Sequence, residues 1–131
     1  MEQSNKRSIK VVNCIIVGLG GFIGAIIRYL IGLIPVSPQN GFPIKTLLIN
    51  ILGAFVIGLV VAFGAKKEWN PQIILFLKVG ICGGFTTFSS FALETNQLIE
   101  RGAPWSAALY VILSVVGGLA AVYAGLGLIG K

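Results

Sequence analysis

Residues 80–91 bring backbone oxygens, hydroxyl groups and aromatic rings together inside an apolar stretch, a combination that could handle an ion. They read Gly-Ile-Cys-Gly-Gly-Phe-Thr-Thr-Phe-Ser-Ser-Phe. Each glycine weakens a helix by roughly 1 kcal/mol relative to alanine, so three of them predict a broken helix that restarts near Phe85. Backbone carbonyls freed at membrane depth need protein, water or an ion as a partner. We therefore expect residues 83–86 to offer oxygens to a hard cation such as Na⁺, with a flexible kink as the alternative.

The phenylalanines of this segment recur at every third residue, as Phe85, Phe88 and Phe91. An aromatic ring has a negative face and a positive edge, so ring edges can attract a small anion weakly. Weak attraction suits conduction, because an ion must leave a site as readily as it enters. The alternative is that these rings only fill the core. The neighbouring hydroxyls and Glu94 favour an ion pathway.

Polar residues form one stripe on each of three predicted helices. The stripes are Thr46 and Asn50; Thr87, Ser90, Glu94 and Gln97; and Ser106, Tyr110 and Ser114. At these spacings the members of a stripe share one helix face. Polar groups in lipid are costly unless they meet one another or water. We expect the stripes to converge, either as hydrogen bonds between helices or as the lining of an ion pathway.

The composition argues against an enzyme. The chain has no His, and its acidic side chains are four Glu residues. Imidazole-based proton transfer, Ser/His/Asp triads and most transition-metal sites are therefore excluded. The two cysteines, Cys14 and Cys82, match no metal or redox spacing and are expected to act as small apolar residues. The net charge of +6 does not predict nucleic-acid binding, because the basic residues lie mostly at predicted helix ends.

Four apolar stretches must position these groups, approximately Val11–Ile34, Ile44–Gly64, Gln72–Leu98 and Trp105–Ile129. Each is close to or above the ~20 residues that a helix needs to cross a bilayer. We predict an all-α, multi-pass protein of the cell membrane, in contact with lipid, with one domain over residues 1–131 and a polar tail over 1–10. Four helices leave little room for a path inside one subunit, so an oligomer is expected, most simply a dimer.

Three motifs resemble those of the Fluc/CrcB family of fluoride channels. They are Gly20-Gly21-Phe22-Ile23-Gly24-Ala25-Ile26-Ile27-Arg28-Tyr29, then Thr46-Leu47-x-x-Asn50-x-x-Gly53, and then Gly80-x-Cys82-Gly83-Gly84-Phe85-Thr86-Thr87-Phe88-Ser89-Ser90-Phe91. The third motif is very specific, whereas the first two alone would be weak. The three follow one another in the family's order, and the resemblance covers the whole chain.

The resemblance implies a passive, fluoride-selective channel that lets F⁻ leave the cytoplasm. It also implies a dual-topology dimer, in which two copies insert antiparallel, and a central Na⁺ that is structural and not transported. The carbonyls of Gly83 and Thr86 would hold this Na⁺. The family's pathway residues fall on Phe88, Phe91, Asn50, Thr46, Ser90, Glu94, Tyr110 and Ser114, and its vestibule arginine falls on Arg28.

The distribution of basic residues leaves the partner open. The side of the membrane with both termini would carry Lys6, Arg7, Lys10, Lys66, Lys67 and Lys131, and the other side would carry Lys45 and Arg101. This bias favours cytoplasmic termini. An antiparallel homodimer needs little bias, so a heterodimer with an oppositely biased relative is the alternative. Arg28 and Lys45 could each reach the interface or attract anions into a vestibule.

A proton-coupled transporter, similar to small four-helix multidrug exporters, is the alternative function. Glu94 is the one carboxylate clearly inside a predicted span, and it would carry the proton. The residue types alone predict a path for a small ion, most simply an anion. The choice of fluoride depends on the family resemblance.

Overall fold

Four helical spans make up the computed structural model, which describes residues 1–130. Helix α1 runs over Glu2–Gly32, α2 over Ile44–Lys66 and α6 over Pro104–Ile129. The third span, Pro71–Glu100, is divided into shorter pieces. Each of the four is long and apolar enough to cross a membrane. The prediction of an all-α, four-span chain is confirmed.

The third span is not one regular helix but a series of four shorter helical segments. It consists of α3 over Pro71–Leu75, a π-helix over Phe76–Cys82, α4 over Gly83–Phe85 and α5 over Phe88–Glu100. Asn70 caps its start, as its side-chain oxygen accepts a hydrogen bond from the Gln72 amide at 2.9 Å. Proline at the first helical position adds a favourable start signal. The predicted interruption of this span is therefore present.

The position of the break differs from the expectation. The chain stays helical through Gly83 and Gly84, and the extended residues are Thr86 (ψ 156°) and Thr87 (φ −148°, ψ 114°). A new helix begins at Phe88, three residues later than expected. β-branched residues favour extended backbone, and a threonine at this point can cap the helix that follows. The break therefore lies at the two threonines, directly after the glycines and Phe85.

Gly80 and Gly84 of the third span pack closely on α1, whereas an added Cβ at Gly83 would meet open space. A Cβ added at Gly20 would lie 2.6 Å from the Phe76 carbonyl oxygen, and one at Gly80 would lie 2.8 Å from Gly20 Cα. Gly24 and Gly84 meet the opposing backbone in the same way. Small residues in lipid let two backbones approach until van der Waals contact extends along the whole crossing. The small residues of α1 thus form an interhelical contact.

Helices α2 and α6 form the other close pair. A Cβ added at Gly58 would lie 2.5 Å from the Val122 carbonyl oxygen and 3.2 Å from Gly125 Cα. Ala121, one turn before Gly125, is also buried. Small residues of α2 and α6 therefore pack on each other. This pair and the pair formed by α1 and the third span are the two halves of the subunit.

The polar N-terminal segment is part of a helix. Residues 2–10 continue α1, whereas the sequence predicted a tail preceding a helix that begins at Val11. An ion pair between Lys6 Nζ and Glu2 Oε1, at 2.6 Å, connects two residues one turn apart. Such spacing supports a solvated helix. Helix α1 therefore extends beyond its apolar part by about two turns.

Candidate functional site

The Asn50 side chain holds the break in the third span open. Its Oδ1 accepts a hydrogen bond from the Thr87 amide at 2.8 Å, and its Nδ2 donates to the Thr87 carbonyl at 3.1 Å. One amide group thereby satisfies both backbone groups of an extended residue, as a neighbouring β-strand would. Backbone groups left unpaired in a membrane are costly. Asn50 therefore stabilises the non-helical conformation from the adjacent helix α2.

This arrangement draws helical donors away from two carbonyls. In a continuous helix the Thr87 amide would donate to Gly83, and the Ser90 amide would donate to Thr86. Here the Thr87 amide donates to Asn50, and the Ser90 amide donates to Thr87 Oγ1 at 3.2 Å. The carbonyls of Gly83 and Thr86 are thus among those that lose their helical partners at the break. These are the two carbonyls that the family resemblance assigned to Na⁺.

Glu94 joins three helices through its carboxylate. Thr46 Oγ1 of α2 donates to Glu94 Oε1 at 2.7 Å, and the Tyr110 hydroxyl of α6 donates to Glu94 Oε2 at 2.7 Å. Tyr110 is completely buried, and Thr46 and Glu94 are partly buried. The polar stripes of α2, α5 and α6 therefore meet at this carboxylate.

Two of the three phenylalanines form a chain of rings with Tyr110. The Phe91 centroid lies 5.2 Å from that of Tyr110, and the Phe88 centroid lies 5.5 Å from that of Phe91. Both pairs are tilted by 50–54°, so ring edges are presented beside ring faces. Phe88 at the end of the chain is 79% exposed in the single subunit. Phe85, by contrast, is buried.

An open cavity of about 380 Å³ lies beside the break. The predicted site residues in its wall are Asn50, Gly83, Thr86, Phe88, Phe91 and Ser114, together with Lys78, which the sequence had left without a role. The hydroxyl of Ser114 is buried and has no hydrogen-bond partner among residues 1–130. Ser90 is joined to the rim by a hydrogen bond from Thr87 Oγ1 at 3.1 Å. The wall is thus apolar, with a few polar groups that converge.

Arg28 lies at the junction of α1 and the third span. Its Nε donates to the Gly84 carbonyl at 3.1 Å, in a partly buried contact. Gly84 is one residue before the end of α4, so its carbonyl also loses a helical donor at the break. Arg28 therefore supports the broken backbone directly. Its predicted role in attracting anions stays a prediction.

Sequence reasoning missed the contact between Asn50 and the Thr87 backbone. It placed Asn50 in a polar stripe, but a stripe does not say that both amide atoms bind one extended residue. The signal lay in the pair Thr86-Thr87, whose branched side chains disfavour helix just before a helix restarts. Among residues 1–130 no three His, Cys, Asp or Glu side chains gather as metal ligands, so backbone oxygens are the candidate donors for a cation.

Four apolar spans, one of them interrupted beside a cavity with polar and aromatic walls, define a multi-pass membrane protein. A family model described as "CrcB-like protein, Camphor Resistance (CrcB)" matches residues 15–126. The chain belongs to the CrcB family. The predicted membership is confirmed, and with it the predictions of a membrane location and of a protein that is not an enzyme.

Several curated relatives carry the same name, fluoride-specific ion channel FluC. The relative from Prosthecochloris aestuarii is 44% identical over 115 residues, which are 87% of this chain and 90% of the relative. The one from Agrobacterium fabrum is 44% identical over 119 residues, or 89% and 95% of the two chains. The one from Azobacteroides pseudotrichonymphae is 39% identical over 112 residues, or 84% and 90%.

Proposed function

We propose that this chain forms a passive, fluoride-selective channel that lets F⁻ leave the cytoplasm and so lowers fluoride toxicity. The observation that carries the proposal is the continuous row from the cavity at Asn50 and Ser114, past the rings of Phe88 and Phe91, to Glu94. The names of the relatives support fluoride as the ion.

Each part of the row has a use for a small, strongly hydrated anion. The edges of the Phe88 and Phe91 rings offer weak positive potential, which attracts the ion without trapping it. The hydroxyl of Ser114, which has no hydrogen-bond partner among residues 1–130, can donate a hydrogen bond that replaces lost water. The hydroxyls of Thr46 and Tyr110 donate to Glu94 and so hold its carboxylate in place at the end of the row.

We propose that two copies insert antiparallel, as a homodimer, so that the partner covers the open side of the cavity. The cavity beside the break is open, and its wall includes the polar side chains of Asn50 and Ser114, which are costly when they face lipid. A heterodimer with a relative of opposite charge bias is the alternative. Purified chain reconstituted alone distinguishes them: channels that appear only with a co-expressed relative would contradict the homodimer.

We propose further that a structural Na⁺ binds at the centre of the dimer and is not transported. Two carbonyls per copy, those of Gly83 and Thr86, have lost their helical donors, and carbonyl oxygen is a ligand for hard cations. A bound Na⁺ would supply the charge that satisfies these oxygens. Ligands that bind only the folded state stabilise it by mass action. The dimer should therefore melt at a higher temperature in Na⁺ than in K⁺ at equal ionic strength, and equal melting would contradict the site.

Ion efflux from liposomes tests the proposed function. We expect vesicles containing the purified chain to release fluoride at least about tenfold faster than chloride, which corresponds to a barrier difference of ~1.4 kcal/mol or more. An ion-selective electrode follows each ion, and empty vesicles are the control. Equal release of both ions, or none of either, would contradict the proposal.

Replacing Glu94 by Gln separates the channel from a proton-coupled transporter. The amide keeps an acceptor for either Thr46 or Tyr110 but cannot carry a proton. We expect Glu94→Gln to retain fluoride flux, lowered by roughly tenfold or less for the loss of one charge-assisted hydrogen bond. Flux should not depend on an imposed pH gradient in either protein. Gradient-driven uptake in the parent chain that the substitution abolishes would favour the transporter.

A further inference from the structure

A second cavity, of about 250 Å³, lies at the end of the polar row that is remote from the first cavity. It is bounded by the loop 33–43, the first turn of α2 and the end of α5. Thr46 and Glu94 form part of its wall, and these residues also belong to the row that begins at the first cavity. At about 30 Å³ per water, it could hold roughly eight waters. A hydrated ion therefore fits beside Glu94.

The cationic residues of the cavity wall are Lys45 and Arg101. They are also the two basic residues that the sequence assigned to the side of the membrane opposite the termini. Topology counting treats such residues as independent flanking charges. The fold instead brings both to one cavity, although they are separated by 56 positions in the chain. The only carboxylate in the wall is Glu94, and both its oxygens accept from hydroxyl groups.

The two cations are held in different ways. Lys45 Nζ donates to the carbonyls of Gly32, at 2.8 Å, and Ile34, at 3.2 Å, and so completes the end of α1. Arg101 lies against the loop at Gly41, where an added Cβ would be 3.0 Å from Nη1. Within residues 1–130 the structure has one ion pair, and it does not involve Arg101. The Arg101 charge is therefore not neutralised by a carboxylate partner.

We infer that this cavity is a basic vestibule that concentrates small inorganic anions at this end of the polar row. Two cations and the positive end of α2 act in the same place, and a low-dielectric wall focuses their field. This vestibule is distinct from the one that the sequence assigned to Arg28, which lies at the junction with α4. The identity of the anion as fluoride rests on the proposed function, but the charge selectivity of the cavity does not.

A thiol introduced at Ser37 reads the charge of the vestibule without any ion flux. Ser37 is exposed and lines the cavity, the exposed Cys14 would be replaced by Ala, and Cys82 is 4% exposed and stays in place. We would compare reaction rates with an anionic and a cationic methanethiosulfonate reagent of similar size. In this Ser37→Cys protein, Arg101→Gln should lower the anionic-to-cationic rate ratio roughly threefold to tenfold at 10 mM salt.

Two further measurements complete this experiment. The effect of Arg101→Gln should shrink towards onefold at 1 M salt, where the screening length is about 3 Å. The matched control is Arg7→Gln, which removes the same charge roughly 40 Å away along α1 of the same subunit, outside the cavity wall, and should change the ratio much less. An equal effect of both substitutions, or no effect of Arg101→Gln, would overturn the vestibule. Lys45 is not used, because its ammonium group completes α1.

Fluoride efflux distinguishes a failure of this inference from a failure of the proposed function. If the parent chain conducts fluoride, Arg101→Gln should lower efflux at 10 mM salt by a similar factor and have little effect at 1 M salt. If the parent chain conducts no fluoride, the proposed function fails, and the thiol rates alone still decide whether the cavity attracts anions. A changed rate ratio with unchanged efflux would overturn the role at the mouth of the pathway.

Discussion

Replacing Asn50 by Leu is expected to lower fluoride flux by at least about tenfold and to destabilise the protein by about 2–6 kcal/mol. Leucine is close to asparagine in shape but leaves the Thr87 amide and carbonyl without partners. Each buried unsatisfied group costs about 1–3 kcal/mol. The broken conformation then loses its advantage over a continuous helix, in which Gly83 and Thr86 would regain helical donors. Efflux from liposomes and thermal unfolding in detergent measure the two effects.

Asn96 provides the matched control for this substitution. It lies on an exposed face of α5, where its Nδ2 donates to Glu100 Oε1 at 3.0 Å, one turn away. Asn96→Leu makes the same chemical change without affecting the break, and surface changes are usually within about 0.5 kcal/mol. We expect normal flux and stability for the control. Similar behaviour of Asn50→Leu and Asn96→Leu would contradict the role of Asn50 in holding the third span open.

Replacing Phe88 or Phe91 by Ile is expected to lower fluoride flux by roughly 2- to 10-fold for each ring. Isoleucine keeps an apolar side chain but has no positive ring edge, and edge interactions are worth about 0.5–1.5 kcal/mol. If the ion loses this stabilisation at the highest barrier of the pathway, its rate of passage falls by roughly 2- to 10-fold. Phe91→Ile should also lower the melting temperature, because Phe91 packs on buried Tyr110. Electrode measurements of efflux and size-exclusion chromatography before and after heating give the two results.

Phe63 is the control for loss of a ring in general. It stacks on Trp69 with centroids 6.1 Å apart, and it is absent from the wall of the first cavity. Phe63→Ile should therefore reduce stability modestly and leave flux per folded protein unchanged. Normal flux in both Phe88→Ile and Phe91→Ile, with folded protein in each case, would leave the rings as packing residues and contradict their role in the pathway.

The break in the third span shows how a sequence pattern can predict a feature and misplace it. Three glycines predicted an interruption, and an interruption is present. Yet Gly80 and Gly84 contact the backbone of α1, whereas the extended residues are Thr86 and Thr87. Helix propensity is a local quantity, and the need for close approach is set by the helix on the other side of the contact.

The sequence alone determined the four spans, their order and the polar stripes, because helix length and periodicity are local properties of the chain. A helix of twenty apolar residues is long enough to cross a bilayer, and hydroxyls at four-residue spacing share one helix face, whatever the rest of the chain contains. The sequence also excluded proton transfer by imidazole and most transition-metal sites, since the chain has no His. The three motifs carried the family membership.

Only the tertiary structure decided which stripe residues touch. Pairing of Asn50 with the Thr87 backbone, the meeting of Thr46 and Tyr110 at Glu94, and the gathering of Lys45 with Arg101 all join distant parts of the chain. Such contacts depend on the rotation and height of each helix relative to its neighbours. Those quantities are set by backbone contacts at glycines such as Gly58 and Gly125, and a one-dimensional pattern does not contain them.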